Sequence, residues 1–101
     1  MQYLKDLLAK PYPPQNKEEV ERLLDELLRI GRSDDYLSER PGAGFNSQCR
    51  HIRTIEIGKR LDQIGGLGLM EYANRLVRRK LNKQISAHLE YAWGGVGKWM
   101  A

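Results

Sequence analysis

An all-α fold is what this sequence predicts, drawn as a compact bundle or orthogonal array of about five helices: a short N-terminal one and four longer elements. Three observations lead there. Aliphatic side chains recur every three or four positions along most of the chain, the spacing that gathers them on one helix face. Glycine and proline clusters interrupt that recurrence at a few places only. Alternating runs of β-branched residues are missing, and Ile55-Glu56-Ile57 is too short to outweigh its helical surroundings.

Tyr3, Leu4, Leu7 and Leu8 stand at helical spacing, so residues 2–9 read as a short amphipathic helix that stops before Pro11, Pro13 and Pro14. A helix that short is marginal alone and must dock on something. Lys10 to Gln15 then form a stiff extended connector. Asn16, with Glu19 three residues on, reads as a capping box opening a helix that runs to about Ile30. Val20, Leu23, Leu24, Leu27, Leu28 and Ile30 form its apolar face, with acids crowding its early turns and Arg29 and Arg32 its end, as the helix dipole favours.

Residues 33–46 carry turn formers and no sustained period, which predicts a loop with one helical turn near Asp35 to Leu37. A helix over 47–64 follows, with Ile52, Ile55, Ile57, Leu61 and Ile64 apolar and Gly58 in their midst. Glycine there costs about 1 kcal/mol against alanine, so a close crossing by another helix is its expected compensation. Gly65-Gly66-Leu67-Gly68 reads as a glycine cap leading into a tight hairpin or angled turn. The next helix, 69–81, buries Leu69, Met70, Ala73, Leu76, Val77 and Leu81, and stops at Asn82. The last, 84–93, buries Ile85, Leu89, Ala92 and Trp93. Trp93, Trp99 and Met100 are more apolar mass than a loose tail carries, so the C-terminus is expected to fold back on the helices.

One domain over residues 1–101 suits this length: a docking helix and Pro-rich connector over 1–15, then a helical core over 16–101. With 41% apolar and 30% charged residues, the composition is that of a globular chain. No apolar run approaches the roughly 20 residues that span a bilayer. The first ten residues lack a basic-then-apolar leader pattern, and the single cysteine, Cys49, cannot pair within the chain; both favour a cytoplasmic location without a membrane partner.

Charge is unevenly divided. Residues 1–49 hold 7 Lys/Arg against 9 Asp/Glu, and residues 50–101 hold 10 against 4. Such a split means either that the halves attract each other on packing or that the C-terminal half meets an anionic partner.

Candidate chemistry is sparse. Gly94-Gly95-Val96-Gly97-Lys98 imitates the end of a phosphate-cradling loop, but Ala92 stands where the first glycine belongs and Trp99 where a Ser or Thr would hold magnesium. Cys49, His51 and His88 give no metal-ligand spacing, so neither a metal nor a cofactor is expected. Cys49 beside Arg50 and His51 at a helix start has the setting of a lowered thiol pKa, though an inert, partly buried cysteine is commoner there. The carboxylates are scattered, mostly on the outer face of the helix over 16–30, and assign no acid and base pair. Catalysis is therefore not expected.

Two groups of residues remain as binding candidates. Arg40, Gly42, Gly44, Asn46 and Ser47 lead into a helix start bearing Arg50 and Arg53, a combination of backbone amides and guanidinium groups suited to a phosphate or carboxylate. Ordinary helix capping by Asn46 or Ser47 uses the same residues. Arg75, Arg78, Arg79, Lys80 and Lys83 form a basic stripe, and the helices around the glycine turn can be drawn as a helix-turn-helix meeting nucleic acid. A solvated face opposite the core has the same composition, and side chains that read base edges are few there.

Ile57-Gly58, Leu61, Gly65-Gly66, Met70 and the closing Ala92-Trp93-Gly94-Gly95-Val96-Gly97-Lys98-Trp99 resemble a pattern of short uncharacterised bacterial proteins. The resemblance covers about the last fifty residues. It implies a small helical fold and carries no known activity, cofactor or site residue. The expectation is thus a non-catalytic interaction or structural module, with a protein partner or a second copy of itself. Nucleic-acid binding through residues 75–83 and small-anion binding at 40–53 are the alternatives.

Overall fold

The computed structural model describes residues 11–37 and 45–99, with the side chains of 45–47 left aside. Among them the chain is all-helical and compact, with three helices where about five were expected: α1 (Lys17–Arg32), α2 (Phe45–Lys80) and α3 (Lys83–Ala92). The expected helix over 2–9 lies outside the described residues. The helices expected over 47–64 and 69–81 are the two halves of α2, which meet at a kink where Gly66 alone is non-helical.

Gly66 sits at φ 65°, ψ −158°, a conformation that side-chain-bearing residues rarely adopt, and helical bonding resumes directly after it. The consequence is a reversal. His51 Nδ1 donates to the Tyr36 carbonyl at 2.6 Å, while Gly31 lies against both the Tyr36 hydroxyl and Leu81. In a straight helix residues 51 and 81 would stand about 45 Å apart. Both reach the surroundings of one tyrosine, so α2 is folded back on itself. The turn that the glycine run predicts is therefore made at one residue and not over several.

The connector is extended at Pro13 (φ −66°, ψ 148°) and then forms a 3₁₀ turn over Pro14–Asn16. Tyr12 meets Tyr72 edge-on at 6.5 Å, which brings the start of the described chain to the bend of α2. The capping box does not form: Asn16 makes no side-chain cap bond, and the Glu19 carboxylate turns to Arg60. α1 buries Val20, Leu23, Leu24, Leu27, Leu28 and Ile30, the face its spacing predicted. The residue that turns the chain after it is Asp34 at φ 52°, and His88 Nδ1 donates to its carboxylate at 2.7 Å. Tyr36 then tucks under α1, fully buried, and gives its hydroxyl proton to the Leu27 carbonyl.

α3 begins at Asn82, whose side chain accepts from the Ile85 amide at 2.8 Å. The residue expected only to stop one helix therefore caps the next. Leu89 and Trp93 face the core, and Ser86, also fully buried, donates to Asn74 at 2.9 Å. The chain then folds back, as its closing residues predict. Trp93 is fully enclosed, its indole N–H on the Thr54 carbonyl at 3.0 Å and its ring over Gly58. Trp99 packs edge-on against it at 5.4 Å and donates to the Glu90 carbonyl. Gly58 thus has the close crossing that its helical position called for. No helix among the described residues is long and apolar enough to cross a membrane.

Candidate functional site

Two surfaces gather the basic residues, and their pairing differs. Along the first half of α2, Arg50, Arg53 and Arg60 project one to two turns apart toward α1 and the turn that follows it, where acids meet them. Arg60 binds Glu19 through two hydrogen bonds, at 2.6 and 2.9 Å. Arg53 binds Glu26 in the same forked way, at 2.7 and 3.0 Å, with Glu56 3.5 Å away. Arg50 donates to Asp35 at 2.6 Å. Forked guanidinium–carboxylate pairs are the stronger kind, although partial exposure limits what each contributes.

The charge split of the sequence is in this region an attraction between the two halves. The hydrogen bond from Arg53, with its charge, holds the Glu26 carboxyl below the ordinary value of 4.5 against a desolvation that acts the other way. Arg60 does the same for Glu19. A carboxyl whose folded pKa is depressed adds stability that is complete above its unfolded value and is lost as pH falls through the folded one. Urea midpoints measured from neutral pH down to about pH 3 are expected to fall once pH drops below 4.5. Glu26→Gln should make that fall shallower, and an unchanged acid slope would contradict the pairing.

Of the loop-and-helix anion candidates, Arg40, Gly42 and Gly44 lie outside the described residues. Asn46 and Ser47 belong to the first turn of α2, their side chains outside the description. Arg50 and Arg53 do come together, lining an open groove of about 580 Å³ with Glu26, Arg29, Ile30, Ser33 and Cys49. A phosphate entering it would compete with Glu26 for Arg53 and with Asp35 for Arg50. Arg29 and Cys49 were not foreseen there. Glu26, Arg29 and Ile30 share one face of α1, which Ser33 extends just beyond its end, and that spacing is the signal for Arg29. Cys49 is exposed and not partly buried. No cluster of three metal-ligating side chains occurs among the described residues.

The second surface is the outer face of α2 beyond Gly66, continued onto the start of α3. Leu69, Met70, Ala73 and Val77 turn fully inward. Helical geometry therefore sends Arg75, Arg78 and Arg79 outward, and Lys80 and Lys83 are exposed at the turn. No acid lies between residues 75 and 83. The nearest carboxylate recorded is Glu90, 3.9 Å from Arg78. One residue beyond Glu90, Tyr91 is 71% exposed, an aromatic side chain that the sequence reading did not single out. Its signal was present in its register: Lys83, Ala87 and Tyr91 follow one another at four-residue spacing on the face opposite Leu89 and Trp93. No family model, curated protein or solved structure matches this chain.

Proposed function

We propose that this chain is a non-catalytic helical binding module whose face of Arg75, Arg78, Arg79, Lys80 and Lys83 holds the phosphate backbone of a nucleic acid. The observation that carries this reading is the contrast in pairing. The arginines of the first half of α2 are matched by carboxylates of α1 and its turn, whereas of the five exposed cations of 75–83 Arg78 alone meets an acid among the described residues, Glu90 at 3.9 Å. Exposed cations lose little hydration on meeting a phosphate, and each contact releases condensed counterions, which drives binding at low salt.

Nucleic acid suits the face better than an anionic membrane. A helix lying in a lipid surface needs a free apolar stripe, and here that stripe is spent on the core. The face also has little with which to read bases, since Asn82 is committed as a helix cap. The expected binding is indifferent to sequence, because phosphate contacts position a protein without specifying bases.

Fluorescence anisotropy with labelled DNA and RNA tests the reading. Micromolar or tighter binding is expected at about 50 mM salt, weakening steeply toward about 200 mM. If all five cations engage phosphates, log K should fall against log salt with a slope of about −3.5 for a single strand. Absence of binding to either nucleic acid at low salt would overturn the assignment, because phosphate attraction is greatest there.

A further inference from the structure

Tyr91 extends the basic face with a surface that attracts something other than phosphate. It is the aromatic one among three large apolar side chains left exposed in the described residues, the others being Ile52 and Leu67. Its ring takes part in neither of the recorded ring pairs, Tyr12 with Tyr72 and Trp93 with Trp99. Two cations stand in its neighbourhood without touching the ring. Lys83 lies two turns back on the same row of α3, about 12 Å along the axis, with only the small Ala87 between them. Arg78 reaches the neighbouring residue Glu90 from α2.

From this juxtaposition we infer that the module takes single-stranded nucleic acid, with a base stacked on the Tyr91 ring while Arg75, Arg78, Arg79 and Lys83 hold the flanking phosphates. The inference rests on the nucleic-acid reading above and narrows it. A duplex keeps the faces of its bases stacked inside, so it offers an exposed tyrosine nothing beyond its backbone. A single strand can turn a base outward, and stacking on an aromatic ring is tolerant of sequence because every base has a π-face. The scarcity of base-reading side chains on this face agrees with such tolerant recognition.

The experiment compares an oligothymidylate of about 16 nucleotides with a duplex of equal length, using the wild type, Tyr91→Ala and Tyr91→Phe at low salt. The wild type should prefer the single strand. Tyr91→Ala should lose about 5- to 150-fold on the single strand and less than about twofold on the duplex, while Tyr91→Phe keeps the preference. Upfield shifts of the Tyr91 ring protons on adding the oligothymidylate should report the stacking directly. Because the side chain is exposed, the thermal midpoint should be unchanged in both variants. Equal binding of the single strand by wild type and Tyr91→Ala, or an equal loss on both nucleic acids, would overturn the inference while leaving backbone binding intact. Failure of every protein to bind either one would overturn both.

Discussion

Replacing Trp93 with alanine is expected to remove about 3–5 kcal/mol of stability, a large share of the 5–15 kcal/mol typical of a domain. The indole is fully buried, and its N–H satisfies the Thr54 carbonyl. It is also what holds α3 and the closing turn onto α2, through Gly58 on one side and Trp99 on the other. For a chain of this size each kcal/mol lowers the thermal midpoint by about 4–8 °C, so the drop should be on the order of 20 °C.

Gly58 supplies the control. A Cβ built there would stand 2.5 Å from the Trp93 indole nitrogen and 2.8–2.9 Å from neighbouring ring carbons. The ring is pinned by its hydrogen bond and cannot swing away. Alanine gains about 1 kcal/mol of helix propensity, whereas forcing a methyl into a packed crossing costs about 1–3 kcal/mol. Gly58→Ala should therefore destabilise the wild type and stabilise Trp93→Ala. Urea unfolding of the four proteins in this cycle checks the change of sign; a stabilising Gly58→Ala in the wild type would show that the crossing is looser than described.

Substituting Arg75, Arg78 and Arg79 together by glutamine is expected to weaken nucleic-acid binding by about a thousandfold at low salt. Each phosphate contact adds about 0.7–0.9 to the salt slope, and about 50 mM salt lies some 1.3 log units below the molar reference. Three lost contacts then subtract roughly three log units from K and about 2–3 from the slope. Stability should stay within about 0.5 kcal/mol, since these side chains point to solvent. Arg53→Gln should do the reverse, leaving affinity nearly unchanged and lowering stability, because that guanidinium is held by Glu26. Anisotropy and urea titrations on the two variants separate the roles. Equal affinity for wild type and triple variant would remove the basic face from consideration.

The helical character and the buried face of α1 were legible because apolar spacing acts locally: Val20 through Ile30 fix which side of the helix turns inward whatever packs against it. The cap at Asn16 was misread because Glu19 has a stronger use elsewhere. A guanidinium forty-one positions away takes its carboxylate, and no local pattern announces that. The break between the helices expected over 47–64 and 69–81 is present, but it is shorter than the glycine run suggests and falls at Gly66 alone. A run of glycines suggests a loop, yet one residue at positive φ suffices to reverse the chain while helical bonding continues on both sides.

Of the candidate sites, the stripe at 75–83 was legible as a run of cations with no acid among them. That Arg50 and Arg53 are neutralised while Arg75 and Arg79 meet no acid among the described residues depends on which helices are neighbours, and periodicity does not contain that. The buried pair Ser86 and Asn74 was invisible for the same reason, each being an unremarkable polar residue until the other is opposite it.

The two indoles lie together in one corner, with ring planes 82° apart, and they are the chain's complete complement of tryptophan. Emission from this protein is therefore a local signal. It reports the seating of residues 93–99 on α2, while far-ultraviolet ellipticity reports the helices as a whole. A red shift that precedes loss of ellipticity on heating would mean that the closing turn lifts away before the helices melt.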